Sequence, residues 1–279
     1  MGNIRLFASS LFALTTLVAC GDDGGSTTIV DAMTIVDAAP VDNAPPVDQP
    51  PAITYDFSCF GNQPSAIATT VMISGTAQEV YLDGTMPGVR PANATAIKAC
   101  KGDCMNANQL EVLQATGTTG DFTTMAIATN GAEIDGYLSA TRSGDLPTLL
   151  YPHAALRQSL DGAPLLMIQS SLLQALALIG LPEQEPENGV VAIAVTDCSA
   201  TLQGVDGVTI TLTQGGNPVG DDPLDAGQFA AEAAGVYIIT NVPPGTVIAT
   251  ATMGSQGFLM NDMTVAAMTV TTAQIRPGY

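Results

Sequence analysis

The chain has one histidine, His153, in the run Tyr151-Pro152-His153, with Ser159 and Asp161 close behind it. These three types are the parts of a nucleophilic triad, in which an imidazole takes the serine proton and a carboxylate holds the imidazole. Nothing in their spacing makes them converge, so a capping or surface histidine is the plainer reading, and a hydrolase site near His153 ranks last of three. Asp221, Asp222 and Asp225 crowd the loop GDDPLDAG. Carboxylate oxygens suit Ca²⁺, but the EF-hand spacing is absent, so a solvated acidic turn is the favoured reading and no metal is assigned. No Gly-x-Ser-x-Gly, His-Glu-x-x-His, Ser-x-x-Lys or Walker pattern occurs, and no catalytic residue or cofactor is assigned. Apart from Cys20 there are four cysteines: Cys59, Cys100, Cys104 and Cys198. They could close two disulfides in any of three pairings; a zinc site is the rival and lacks the double Cys-x-x-Cys spacing. The short Gly-containing loop from Cys100 to Cys104 could close on itself, leaving Cys59 for Cys198, but spacing alone leaves the pairing open. Tyr81, Tyr137 and Tyr151 are read as exposed and are the candidate sugar-stacking rings.

Composition narrows the field further. The 279 residues are 46% apolar and only 12% charged, with 7 Lys+Arg against 26 Asp+Glu and a net charge of −19. Backbone binding to nucleic acid needs clustered cations, so nucleic acid is excluded as a partner. One histidine rules out a His-rich catalytic metal site. With no Trp and 5% aromatics, a polysaccharide platform has little to build on, although it stays as the runner-up.

The elements that must position these residues begin with an address. Residues 1–19 read as a signal peptide, with Arg5 in a short basic region and an apolar run over Phe7–Ala19. It closes on Leu17-Val18-Ala19-Cys20, which resembles the lipobox of bacterial lipoproteins. That resemblance implies a diacylglyceryl group on Cys20, cleavage before it, acylation of the new amino group, and a membrane as the partner of the N-terminus. Several acyl chains on one residue anchor durably where a single chain does not. Residues 20–56 then read as a stalk. Seven Asp, no basic residue and five of the 18 prolines favour an extended, self-repelling chain that cannot fold alone. A loose repeat (Ile29-Val30-Asp31-Ala32, Ile35-Val36-Asp37-Ala38) lacks the glycine framework of Ca²⁺-binding repeats.

Residues 57–279 read as mainly β. Runs rich in β-branched residues between Gly, Pro, Asn and Asp predict strands over 68–75, 95–99, 109–113, 121–128 and 137–142. A second set is predicted over 190–197, 208–213, 235–240, 246–253 and 263–275. Short strands with frequent turns indicate antiparallel sandwiches of the Ig type. Ala163–Leu181 has few β-branched residues and lies between Pro164 and Gly180-Pro182, which predicts a helix. It reads as a buried linking helix and not as a membrane span, since it is short and carries Gln169, Ser170, Ser171 and Gln174. The expected domains are a first sandwich over 57–152, a helical linker over 153–188 and a second sandwich over 189–279.

The second half reads Val195-Thr196-Asp197, then Gly204-Val205-Asp206-Gly207-Val208, Gly235-Val236-Tyr237 and Asn241-Val242-Pro243-Pro244-Gly245. This resembles the carboxypeptidase regulatory-like domain, a transthyretin-like β-sandwich. The first half matches less well, through Ile73-Ser74-Gly75, Thr119-Gly120-Asp121-Phe122 and Gly136-Tyr137, without the Pro-Pro-Gly turn. The resemblance implies two transthyretin-like sandwiches and no catalytic residue, because in carboxypeptidases the module is an accessory. The expectation is a non-enzymatic, lipid-anchored envelope protein, its folded part periplasmic or surface-exposed. Its role would be structural or adhesive, with an extracellular protein or polysaccharide as partner.

Overall fold

The computed structural model describes residues 54–59, 66–83, 86–102, 104, 108–173, 182–199, 203–228 and 234–277. The signal segment, Cys20 and the stalk up to residue 53 lie outside the described residues. Residues Ile53–Tyr279 form one compact unit.

The first half runs through β1 (Thr70–Val71), β2 (Ile73–Asp83), β3 (Met86–Pro91), β4 (Ala96–Cys100) and β5 (Gln109–Gln114). It continues with β6 (Asp121–Thr123), β7 (Ile127–Ala128), β8 (Tyr137–Thr141), β9 (Thr148–Tyr151) and β10 (Leu160–Ile168). The second half contributes β11 (Gly189–Val195), β12 (Thr209–Gln214), β13 (Asn217–Pro218), β14 (Leu224–Asp225) and β15 (Val236–Val242). It ends with β16 (Gly245–Met253), β17 (Gln256–Gly257), β18 (Asn261–Val265) and β19 (Val270–Ile275). The protein is mainly β, as expected.

An eight-stranded sheet, in the order β14-β15-β11-β19-β9-β8-β4-β5, draws strands from both halves. The halves join where β19 pairs in parallel with β9, Val270 opposite Thr148 and Ala273 opposite Tyr151. Successive side chains on a strand point to opposite faces, and β9 uses both. Leu150 enters a core with Ile97, Leu138 and Ala140 of the shared sheet and with Val71, Phe122 and Leu165 from strands above it. Its neighbour Tyr151 enters the other core, with Val191, Ile193 and Ala273 of the shared sheet and Leu212, Val247 and Met263 from the sheet built on β12, β16 and β18. The two cores therefore lie on opposite faces of one sheet.

Two of the four sheets are mixed and not purely antiparallel: β2–β10, β11–β19 and β9–β19 are parallel pairs. One of these corrects the linker. The helix expected over Ala163–Leu181 begins instead as strand, with Leu160–Ile168 forming β10 alongside β2. The reason is period two: Ala163, Leu165 and Met167 are buried while Pro164 and Leu166 face the other way. Leucine and methionine suit either structure, so burial on one face decided the matter. Pro164 cannot donate to a ladder, and β10 lies at the end of its sheet, where that lack is tolerated. Helical backbone starts at Ser170 and is described to Leu173, whose side chain packs with Leu146, Val190 and Val270. Residues 174–181 lie outside the described residues. Among the described residues, no helix is long and apolar enough to cross a membrane.

Turns fall where Gly and Pro predict. Val242-Pro243-Pro244-Gly245 carries the chain from the shared sheet into β16 of the opposite layer, with Gly245 at φ 135°. Gly120 stands at φ 74°, and a Cβ there would run into the carbonyl of Ala77 and the amide of Ala92. Only glycine fits both demands. The run expected as one strand over 263–275 is broken in two by a turn at Met268, φ 49°.

Leu165 is 0% exposed between the two layers of the first core. Leu165→Ala should cost about 2–5 kcal/mol, the usual result of emptying a packed aliphatic site. Urea unfolding will measure it, and a loss under about 1 kcal/mol would contradict the packing described.

Candidate functional site

At residues 55–59, the start of the described chain, several independent bonds tie the backbone down. Packing extends back to Tyr55, within the segment read as stalk: the Asp206 amide donates to the Tyr55 hydroxyl at 3.1 Å. The Tyr55 ring neighbours Phe57, which meets Phe258 edge to face with centroids 5.9 Å apart. Two residues on, Cys59 is disulfide-bonded to Cys198, 139 residues away, with Cα atoms 5.6 Å apart. Cys198 lies three residues past the end of β11, an interior strand of the shared sheet. The second disulfide, Cys100–Cys104, closes the short loop after β4. Of the three pairings open to the sequence, this is the one formed.

Asp197 completes the junction. It is 1% exposed and accepts from the amides of Asp56 (3.1 Å), Ser199 (3.0 Å) and Gln203 (2.9 Å) and from the Ser199 hydroxyl (2.6 Å). Burial alone would raise its carboxyl, but the Ser199 hydroxyl and the three amides outweigh it and hold the group below the usual carboxylate range. The Cys198 amide donates back to the Asp56 carbonyl at 2.7 Å. Residues 55–59 are thus held to the rest of the fold by a covalent bond, by the charge-assisted hydrogen bond from the Asp56 amide to Asp197, and by neutral hydrogen bonds at Tyr55 and Asp56.

A second polar cluster was not foreseen from the sequence. Glu79, 2% exposed on β2, is gripped bidentately by Arg90 of β3 at 2.6 and 3.0 Å. Arg142 reaches Glu79 at 2.7 Å and Asp145 at 2.9 Å, and the Arg90 guanidinium lies 4.4 Å from the centre of the Tyr81 ring. The Arg90 hydrogen bonds lower the Glu79 carboxyl against the opposing effect of burial. Burial raises that of Asp145, with Arg142 opposing. Two cations and two anions balance here, which is the condition for burying charge at all. The available signal was the scarcity of arginine, which makes each one worth pairing with a carboxylate.

The sequence candidates for catalysis and metal binding do not assemble. The Ser159 hydroxyl accepts from the Met72 amide at 3.0 Å, and Asp161 accepts from the Ser74 hydroxyl at 2.7 Å. His153 instead meets Gln274 and Arg276, so the three triad types have different partners. Asp221 is engaged by the Thr240 hydroxyl (2.7 Å) and the Asn241 side-chain amide (2.8 Å). Asp225 accepts from the Gly227 amide at 2.9 Å, and Asp222 is exposed. Among the described residues, no group of three or more His, Cys, Asp or Glu side chains is placed to hold a metal ion. The tyrosines read as exposed need correction. Tyr151 is 9% exposed, stacked on half-buried Tyr137 at 5.0 Å, and accepts from the Thr264 amide at 3.1 Å. A phenol is drawn inside because its ring fills the core and its hydroxyl finds a donor.

No family model matches the chain, and no curated protein matches it. Among solved structures, it is similar to the minor pilin GBS52 of Streptococcus agalactiae at 11% identity, over 74% of this chain and 94% of that one, with a TM-score of 0.26. It is similar to the shaft pilin SpaA of Lactobacillus rhamnosus GG at 10% identity, over 76% and 99% of the two chains, with a TM-score of 0.23. A streptococcal ancillary pilin is 10% identical over 75% and 62%, with a TM-score of 0.22. At these scores the likenesses support no argument about function.

His153 gives the site a pH signature. Burial, with Arg276 adding repulsion and the Gln274 hydrogen bond opposing, lowers its imidazole from 6.5 to about 4. The unfolded chain therefore takes up a proton between those values that the folded chain refuses, so stability falls as pH drops from about 6.5 to 4 and levels below. The loss attached to this group is up to roughly 3 kcal/mol. His153→Gln should remove that slope in denaturant unfolding measured across pH 4–7; parallel profiles for the two proteins would refute it.

Proposed function

We propose that this is a non-catalytic protein of the cell envelope, held to a membrane by lipid on Cys20 and serving a structural or adhesive role at the surface. The observation that carries the reading is the junction at Tyr55–Cys59. The chain that emerges from an Asp- and Pro-rich stalk is fastened at once beside the shared sheet by Cys59–Cys198 and by the bond from the Asp56 amide to Asp197. A fold fastened at the point where its tether arrives is suited to holding position under load. Two disulfides also agree with export to an oxidising compartment. The charge distribution fits as well. With seven of the 26 acidic residues in the stalk, 19 remain in residues 57–279 against 6 basic ones, a net −13. That charge keeps the exposed surface from adhering without selectivity.

The folded part would present its partner surface at the end of an extended stalk, and that partner is read as an extracellular protein. The sequence alternative of a polysaccharide module rests on tyrosines of which Tyr151 is committed to the core.

Growth with an alkyne-tagged fatty acid should label the protein, and Cys20→Ser should abolish the label. An unlabelled wild-type protein, or equal labelling of the variant, would overturn the anchoring on Cys20.

A further inference from the structure

The shared sheet is built unevenly on its two faces. In β11 the residues facing the second core are Val191, Ile193 and Val195, all fully buried, whereas the opposite face carries Val190, packed with Leu146, Leu173 and Val270, and beyond it only the small Ala192 and Ala194. On β19 the same face carries Thr272 and Gln274, directly beside them in the ladder. Layers of side chains normally fill the space of about 10 Å between packed sheets. Alanines opposite β10 leave that space open. The result is a cleft of ≈ 280 Å³ whose floor is Ala192, Ala194 and Thr272 and whose wall is Leu160, Pro164 and Leu166 of β10. Its polar residues include Thr196, Gln274 and Arg276, with Asp161 on the rim. The Asp161 carboxylate is held by the Ser74 hydroxyl. Arg276 is one of only seven basic residues in the chain.

We propose that this cleft binds a medium-chain aliphatic carboxylate, its hydrocarbon lying on the alanine floor and its carboxylate meeting Arg276, with Gln274 and Thr196 as further hydrogen-bonding groups. The chemistry of the lining selects the class. An apolar slot with a few polar groups is the usual form of a small-molecule site, and a guanidinium favours a carboxylate through charge-assisted hydrogen bonds. Size selects the chain length. A cavity of about 150 Å³ holds benzene, so this cleft takes roughly twice as many heavy atoms, about ten to twelve, as in octanoate to decanoate. The inference is independent of the lipid on Cys20.

Calorimetric titration of the whole chain, exported with Cys20→Ser so that no covalent acyl group competes, will test it with decanoate and with the neutral 1-decanol. Decanoate should bind saturably at one site. Ala192→Leu and Ala194→Leu fill the slot from the floor, and whichever keeps the wild-type melting temperature should lose the binding. Arg276→Gln should weaken decanoate about tenfold or more while leaving decanol unchanged. Absence of saturable decanoate binding to the unsubstituted cleft would overturn the proposal, whatever the variants do. So would undiminished binding in a folded leucine variant, or equal weakening of acid and alcohol by Arg276→Gln.

Discussion

Four residues of β9, lying in parallel against four of β19, hold the two halves of this protein in one sheet. Everything else follows from that pairing. Because strand side chains alternate, Leu150 and Tyr151 stand in different cores although they are adjacent in sequence. Because β9 and β19 are interior to the eight-stranded order, neither half can leave without exposing both an unpaired strand and an apolar face. A second parallel pair, β10 on β2, folds the chain between the halves back over the first core. The segment that links the halves is thereby part of the packing.

The same sheet is where residues 55–59 are fastened. β11 lies between β15 and β19, hydrogen-bonded on both sides, and Asp197 and Cys198 follow two and three residues past its end. Residues 55–59 are therefore tied next to an interior strand of the shared sheet and not to an edge strand such as β5. The buried carboxylate of Asp197 serves the covalent bond by holding the backbone of residues 56, 199 and 203 around it.

Much of the architecture was legible in the chain because it rests on local signals. Runs such as Val190–Val195 and Thr209–Thr213 are β-branched and bounded by turn residues, and they form strands where expected. The Pro-Pro-Gly corner was legible for the same reason. What escaped depends on distant partners. Leu160–Ile168 carries no β-branched residue before Ile168, and only burial against Ala77 and its neighbours makes it a strand. Thr148–Tyr151 is too short to register, yet it joins the halves. The Glu79–Arg90–Arg142–Asp145 cluster draws on strands that sequence alone does not align, and the cysteine pairing stayed open until the fold brought residues 59 and 198 together. The tyrosines looked available only because exposure is not a property of a residue type.

If one sheet serves two cores, the halves unfold together. Amide hydrogen exchange across a urea series, read separately at Ile97 of β4 and Leu212 of β12, tests this most directly. A single global opening is expected, with the same free energy and the same dependence on urea at both sites. Two separate openings, one half exchanging while the other stays protected, would contradict it.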